Sequence, residues 1–157
     1  MIADRAGVRL ASAHPHCQGR GARGLWSGQR KPRCNLMPHI LLVEDHSVIA
    51  QAIKETLEEE GYRVTLCGDG AMAVLRLASA ASYSLLLCDN QLPGVSGLEL
   101  VRSARGMDRH KQTPIIMFSA SECSRDARLA GVNEYLRKPQ DIGKVVETVA
   151  RLLTTSQ

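Results

Sequence analysis

Residues 39–46 read His-Ile-Leu-Leu-Val-Glu-Asp-His, an apolar run that gives way at once to two carboxylates. His39 to Val43 is apolar enough to be buried on both faces, so it predicts a central parallel strand. The next residues change period. Ile49, Ala52, Ile53 and Leu57 fall on one helical stripe, with Lys54, Glu55, Glu58 and Glu59 elsewhere, and Gly61 offers a left-handed stop.

This strand-then-helix unit repeats along the chain. Tyr62 to Cys67 predicts a second strand, and Asp69 can cap a helix running to about Ala81. Ser84 to Cys88 predicts a third strand that ends at Asp89, with a third helix beginning over Gly97 to Ala104. Ile115 to Phe118 follows as the fourth strand, then a helix from about Glu122 to Ala130 that Gly131 can terminate. Glu134 to Arg137 is the fifth strand. The last helix is expected to start with Asp141 as N-cap and to align Ile142, Val145, Val146, Val149, Leu152 and Leu153 on one face. Doubly buried strands alternating with helices predict an α/β fold, a doubly wound open parallel sheet. Right-handed crossovers leave the flavodoxin-like (βα)5 strand order 2-1-3-4-5 as the expected topology.

In such a sheet ligands bind at the carboxyl ends of the strands, beside the point where the winding reverses. Strand one ends in Glu44-Asp45 and its expected neighbour, strand three, ends in Asp89. Like charges about 4 Å apart cost on the order of 4 kcal/mol at an effective dielectric near 20. Either a shared proton or a hard divalent cation with oxygen ligands can offset that cost, and Mg2+ suits the second by leaving room for phosphate oxygens. Strand four ends at Ser119, and Lys138 follows strand five, adding a hydroxyl and a cation to the same rim. Each piece alone reads blandly, as a helix cap, a solvated acidic pair or a Lys-Pro turn. Together they end separate strands on one edge.

Composition narrows the class. The chain has 157 residues and a formal charge of +4, but residues 1–36 hold seven basic residues and one acid, a net of +6. Residues 37–157 therefore carry −2, which argues against a direct nucleic-acid surface. The 36-residue segment has no apolar period and is expected to be a disordered basic tail. Met37-Pro38 runs straight into the first strand, which predicts Met37 as the true start. His14, His16, Cys17 and Cys34 match no common metal-site spacing. Five cysteines without CxxC spacing fit a reducing compartment, and no apolar run reaches the roughly 18 residues of a membrane span, so a cytoplasmic protein without membrane insertion is expected.

The segments LLVEDH (41–46), CDNQLPGVSG (88–97), PIIMFSA (114–120) and EYLRKP (134–139) resemble, in order and spacing, the signature blocks of response-regulator receiver domains. The resemblance covers residues 37–157 and implies a phosphoacceptor signalling protein, not an enzyme with turnover. It implies that Asp89 takes a phosphoryl group from a histidine kinase or histidine phosphotransfer protein, with Mg2+ held by Glu44, Asp45, Asp89 and the Gln91 carbonyl. It also implies that Lys138 pairs with a phosphate oxygen, that the bond before Pro139 is cis, and that Ser119 turns its hydroxyl towards the phosphate. Tyr135 would then move into the vacated space, carrying the signal to a face built from the fourth helix, fifth strand and fifth helix and from there to a downstream protein. Gln91 and Ser121 occupy positions where the family tunes phosphoryl lifetime, and Glu44 departs mildly from the commoner Asp. Cys88 is expected to be buried and inert, leaving Cys123 as the more reactive thiol. Only 18 residues follow Pro139, too few for an output domain, so a stand-alone receiver is expected.

Other classes remain to be distinguished. A flavodoxin-type carrier needs a hydroxyl-rich loop where Glu44-Asp45 stands, and a dehalogenase-type phosphatase needs DxD where the chain has Asp89-Asn90-Gln91. A degenerate pseudo-receiver, acting only as a binding module, is the alternative that shares the fold.

Overall fold

In the computed structural model, residues 37–155 are described. The basic segment 1–36, expected to be disordered, and its candidate ligands His14, His16, Cys17 and Cys34 lie outside the described residues. Strands β1 (His39–Val43), β2 (Arg63–Cys67), β3 (Leu85–Cys88), β4 (Ile115–Ser119) and β5 (Glu134–Arg137) alternate with helices α1 (Ser47–Glu59), α2 (Gly70–Ala78), α3 (Gly97–Gly106), α4 (Ser124–Ala130) and α5 (Val145–Thr155). All strand pairs are parallel and the order is β2-β1-β3-β4-β5, the flavodoxin-like arrangement expected from the alternating pattern.

Strand alternation divides the core in two. Ile40, Leu42, Leu85, Leu87, Ile116 and Phe118 point to a layer closed by Ile53 and Leu57 of α1 and Val145 and Val149 of α5. Leu41, Val43, Leu86, Cys88, Ile115 and Met117 point the other way, onto Ala73 and Leu77 of α2, Leu100 and Val101 of α3 and Ala127 of α4. Because both faces are covered, the strands can be continuously apolar; each fully buried leucine is worth roughly 1.5–3 kcal/mol.

Local chemistry fixes the element ends. Asp69 accepts from the Met72 N–H at 2.8 Å and caps α2, as expected. Ser96 and Glu99 form a reciprocal capping box on α3. Gly61 and Gly131 take positive φ where α1 and α4 stop.

Four expectations are corrected. α2 ends at Ala78, before Ala81, because Ser79 is extended and its hydroxyl bonds back to the Arg76 carbonyl at 2.6 Å. α4 begins at Ser124, later than Glu122. In α1 it is Ala50 that is buried and Ala52 that is exposed, a small rotation of the stripe about the helix axis. Asp141 does not cap α5: its carboxylate accepts from the Arg137 N–H at 2.9 Å and pairs with Lys144 at 2.7 Å. A 3-10 turn, Ile142–Lys144, intervenes and leaves Ile142 exposed.

Candidate functional site

The carboxyl edge of the sheet places its acids by backbone pairing. Val43 lies between Cys67 and Cys88 in register, so the residues that follow it are flanked by the ends of β2 and β3. The Glu44 N–H donates to the Cys67 carbonyl and the Asp89 N–H to the Val43 carbonyl, both at 2.9 Å. These bonds extend each ladder by one residue. They bring Glu44, Asp45 and Asp89 together, with one carboxylate oxygen from each inside a 4.8 Å cluster. Glu44 and Asp89 are buried, and Asp45 is exposed to solvent.

Lys138 enters from the end of β5. Its ammonium donates to Asp89 Oδ2 at 2.6 Å and to Glu44 Oε2, and it stands 5.4 Å from the Phe118 ring centroid. Burial works against its charge, but the bonds to Asp89 and Glu44 outweigh burial and hold its pKa above the ordinary value. The Lys138–Pro139 peptide bond is cis, as the motif implied. One ammonium against three carboxylates leaves a net charge of −2 at the edge. An all-oxygen donor set with surplus negative charge suits a hard divalent cation, so the residues fit Mg2+.

Asp89 is held at both oxygens. Oδ1 accepts from the N–H of Asn90 at 2.5 Å and of Gln91 at 3.1 Å, while Oδ2 takes the lysine bond. Gln91 therefore meets the site through its backbone. Ser119 is fully buried at the end of β4, its hydroxyl 3.1 Å from that of Ser121, and its carbonyl accepts the Lys138 N–H at 3.1 Å.

Ser121 carries more contacts than its sequence position suggested. Its hydroxyl also accepts from the Asn90 side-chain amide at 3.3 Å and lies 3.4 Å from Cys123 Sγ, and its carbonyl accepts the Tyr135 hydroxyl. Tyr135 is half-buried, with its hydroxyl 3.9 Å from Cys123 Sγ; burial is the main cause of its raised pKa. In the sequence Ser121 was marked by its place two residues past Ser119, a position the resemblance singles out, but not by these contacts. Cys88 is buried, and burial, reinforced by the charge of Asp89, pushes its thiol up to about 12, making it the inert cysteine expected. Cys123 is partly exposed at the start of α4.

Comparison with known proteins agrees with this geometry. The family model described as the response regulator receiver domain matches residues 40–150. A transcriptional regulatory protein of Bacillus subtilis, YkoG, is 39% identical over 118 residues, covering 73% of this chain and 50% of its own. The chemotaxis protein CheY of Pseudomonas aeruginosa is 35% identical over 104 residues, covering 64% of this chain and 83% of its own. The chain spans about half the length of the first of these and of a matching Pseudomonas aeruginosa transcriptional activator. Among solved structures, the receiver domain of a Pseudomonas aeruginosa sensor histidine kinase, with magnesium coordinated in its active-site cleft, superposes with TM-score 0.68 at 33% identity, covering 75% of this chain and 98% of that one. The Thermotoga maritima response regulator TrrA, in complex with Mg2+ and BeF, gives TM-score 0.66 at 30% identity over 74% of this chain and 99% of its own. With β2-β1-β3-β4-β5 order and Glu44, Asp45, Asp89 and Lys138 gathered at its carboxyl edge, the chain belongs to the response-regulator receiver family.

Proposed function

We propose that Asp89 is the phosphoacceptor, taking a phosphoryl group from the phosphohistidine of a kinase or phosphotransfer protein and passing the signal on by partner binding or relay. The carrying observation is the Asp89 carboxylate itself, buried, oriented by two backbone N–H groups and a lysine, and set among two further acids. An Asp89 oxygen forms the new P–O bond as the P–N bond to the donor imidazole breaks, and the imidazole nitrogen recovers the electron pair. Mg2+, held by Glu44, Asp45, Asp89 and the Gln91 carbonyl, would supply positive charge against the incoming phosphoryl oxygens. The backbone bonds to Oδ1 fix the carboxylate's orientation before the donor arrives, which favours a positioned attack. Lys138 is already at the edge and charged, ready to exchange a carboxylate contact for a phosphoryl oxygen.

Ser119 and Tyr135 carry the outcome outward. If the Ser119 hydroxyl turns to the phosphoryl group it leaves Ser121, and a new hydrogen bond to a charged partner, about 1.5–3 kcal/mol, is enough to bias a two-state element. The bond from Tyr135 to the Ser121 carbonyl ties β5 to the same loop, supporting a readout on the α4-β5-α5 face. No helix among the described residues is long and apolar enough to cross a membrane.

The test is incubation with acetyl phosphate and Mg2+, followed by intact mass. The expected result is one added phosphoryl group, lost in Asp89→Asn and without Mg2+. A wild-type protein that stays unlabelled would mark a pseudo-receiver, and label that survives Asp89→Asn would refute the assignment.

A further inference from the structure

The loop between β3 and α3, residues 90–96, is fastened at two points. At its first residue, Asn90 accepts the Gly97 N–H at its carbonyl (3.0 Å) and the Leu98 N–H at its side chain (3.2 Å), and donates to Ser121. Its far end rests on the first turn of α2. There the Gly70 N–H donates to the Pro93 carbonyl at 3.2 Å, and a Cβ on Gly70 would stand 1.9 Å from the Val95 carbonyl oxygen and 2.8 Å from its carbon. The loop returns the contact with a glycine of its own. Gly94, at φ +78, passes over Asp69 and Ala71, where a Cβ would lie 3.4 Å from Asp69 Oδ2 and 3.6 Å from Ala71 Cβ. The wall against Gly70 is therefore the backbone of Val95, which cannot move aside as a flexible side chain could, while Gly94 lies in ordinary contact with the side chains of Asp69 and Ala71.

Between the fasteners lies Gln91, whose N–H holds Asp89 Oδ1. Any displacement at Pro93–Val95 must be absorbed by the few residues between there and Asn90, because Asn90 is fixed on three sides. We propose that Gly70 is a positioning residue for the metal-binding loop: by letting the backbone of Val95 close onto α2, it sets where Gln91 stands relative to Asp89. This rests on the reading of Glu44, Asp45, Asp89 and Gln91 as the Mg2+ ligands. Helix propensity makes the opposite forecast, since alanine is favoured over glycine within a helix. The two are therefore separable.

The experiment is Mg2+ titration by isothermal calorimetry on wild type, Asp45→Asn, Gly70→Ala and Gly106→Ala, with thermal melting in EDTA to monitor folding. Gly106, whose added Cβ would meet nothing within 4 Å, is the neutral control. Gly70→Ala is expected to weaken Mg2+ binding by about tenfold, the scale of supporting-residue effects at metal sites. The Mg2+ concentration for half-maximal acetyl-phosphate labelling should rise in step, with the rate at saturating Mg2+ held within about twofold. Unchanged affinity in a folded Gly70→Ala protein overturns the inference alone. Wild type that binds no Mg2+, or Asp45→Asn that binds as well as wild type, overturns the ligand reading and the inference with it. Should Gly70→Ala fail to fold, the gentler Gly94→Ala carries the same expectation of weakened binding, and unchanged affinity there overturns the inference.

Discussion

Lys138 is the residue on which the resting site turns. By bridging Glu44 and Asp89 it leaves the three-carboxylate edge at a net −2, and its bonds to them hold its pKa high in spite of burial. Removing it has two opposed effects that can be measured separately. In Lys138→Met the carboxylates lose the ammonium that bridges them, so Mg2+ should bind at least as tightly as in wild type, by calorimetry. Labelling by acetyl phosphate should fall by about 10²-fold, because a fixed charge aimed at the reacting oxygens is lost. Equal labelling rates would show that the lysine is only a structural counter-ion. Asp89 and Asp45 could be singled out in the sequence because each lies where an apolar strand stops, whereas Lys138 follows the mixed strand Glu134–Arg137 and was singled out by the Lys-Pro of the signature block. The joint contacts of Ser121 were not, since they depend on how the loop after β4 folds back, which apolar periodicity does not encode.

Among the elements, the short 3-10 turn Asp108–His110 shows how packing outside the site is tied down. His110 is buried, its Nε2 3.1 Å from the Leu77 carbonyl at the end of α2 and its Nδ1 3.3 Å from the Thr113 hydroxyl. The carbonyl can only accept, so Nε2 donates, and the Thr113 hydroxyl can accept from or donate to Nδ1. Burial, with Arg109 adding to it, holds the His110 pKa below 6.5; burial and Arg63 do the same for His39, whose ring lies tilted with its centroid 4.7 Å from that of Tyr83. A histidine with a lowered folded-state pKa binds its proton more readily when unfolded. Its stability contribution is therefore complete above 6.5 and is lost as pH falls below that value towards the folded pKa. Thermal melts should be flat from pH 8 to 7 and decline from pH 6.5 to 5, with the decline reduced in His110→Gln. An equal decline in that variant would remove His110 from the account. The corrected start of α5 belongs to this scale as well: an Asp before an apolar helical stripe reads as a helix cap, yet the Asp141 carboxylate is taken by the Arg137 N–H and Lys144.

At the scale of the whole molecule, one sheet does two jobs. Its apolar strands, covered by α1 and α5 on one side and α2, α3 and α4 on the other, provide the two core layers, and their carboxyl ends deliver the chemistry to one edge. That architecture was the most legible feature of the sequence, because doubly buried strands leave long apolar runs and parallel order then follows from handedness. The rotation of α1 that buries Ala50 and exposes Ala52 was not, since adjacent positions on a helix differ by about 100° and a stripe's phase is set by tertiary contact. The proposed chemistry converges on one carboxylate, that of Asp89. The most direct measurement is therefore to label the protein with acetyl phosphate and Mg2+, reduce the acyl phosphate with borohydride and sequence the peptides. Homoserine at position 89 and nowhere else is the predicted result; homoserine at Asp45, the one-carbon-longer alcohol at Glu44, or label that borohydride does not convert, would contradict it.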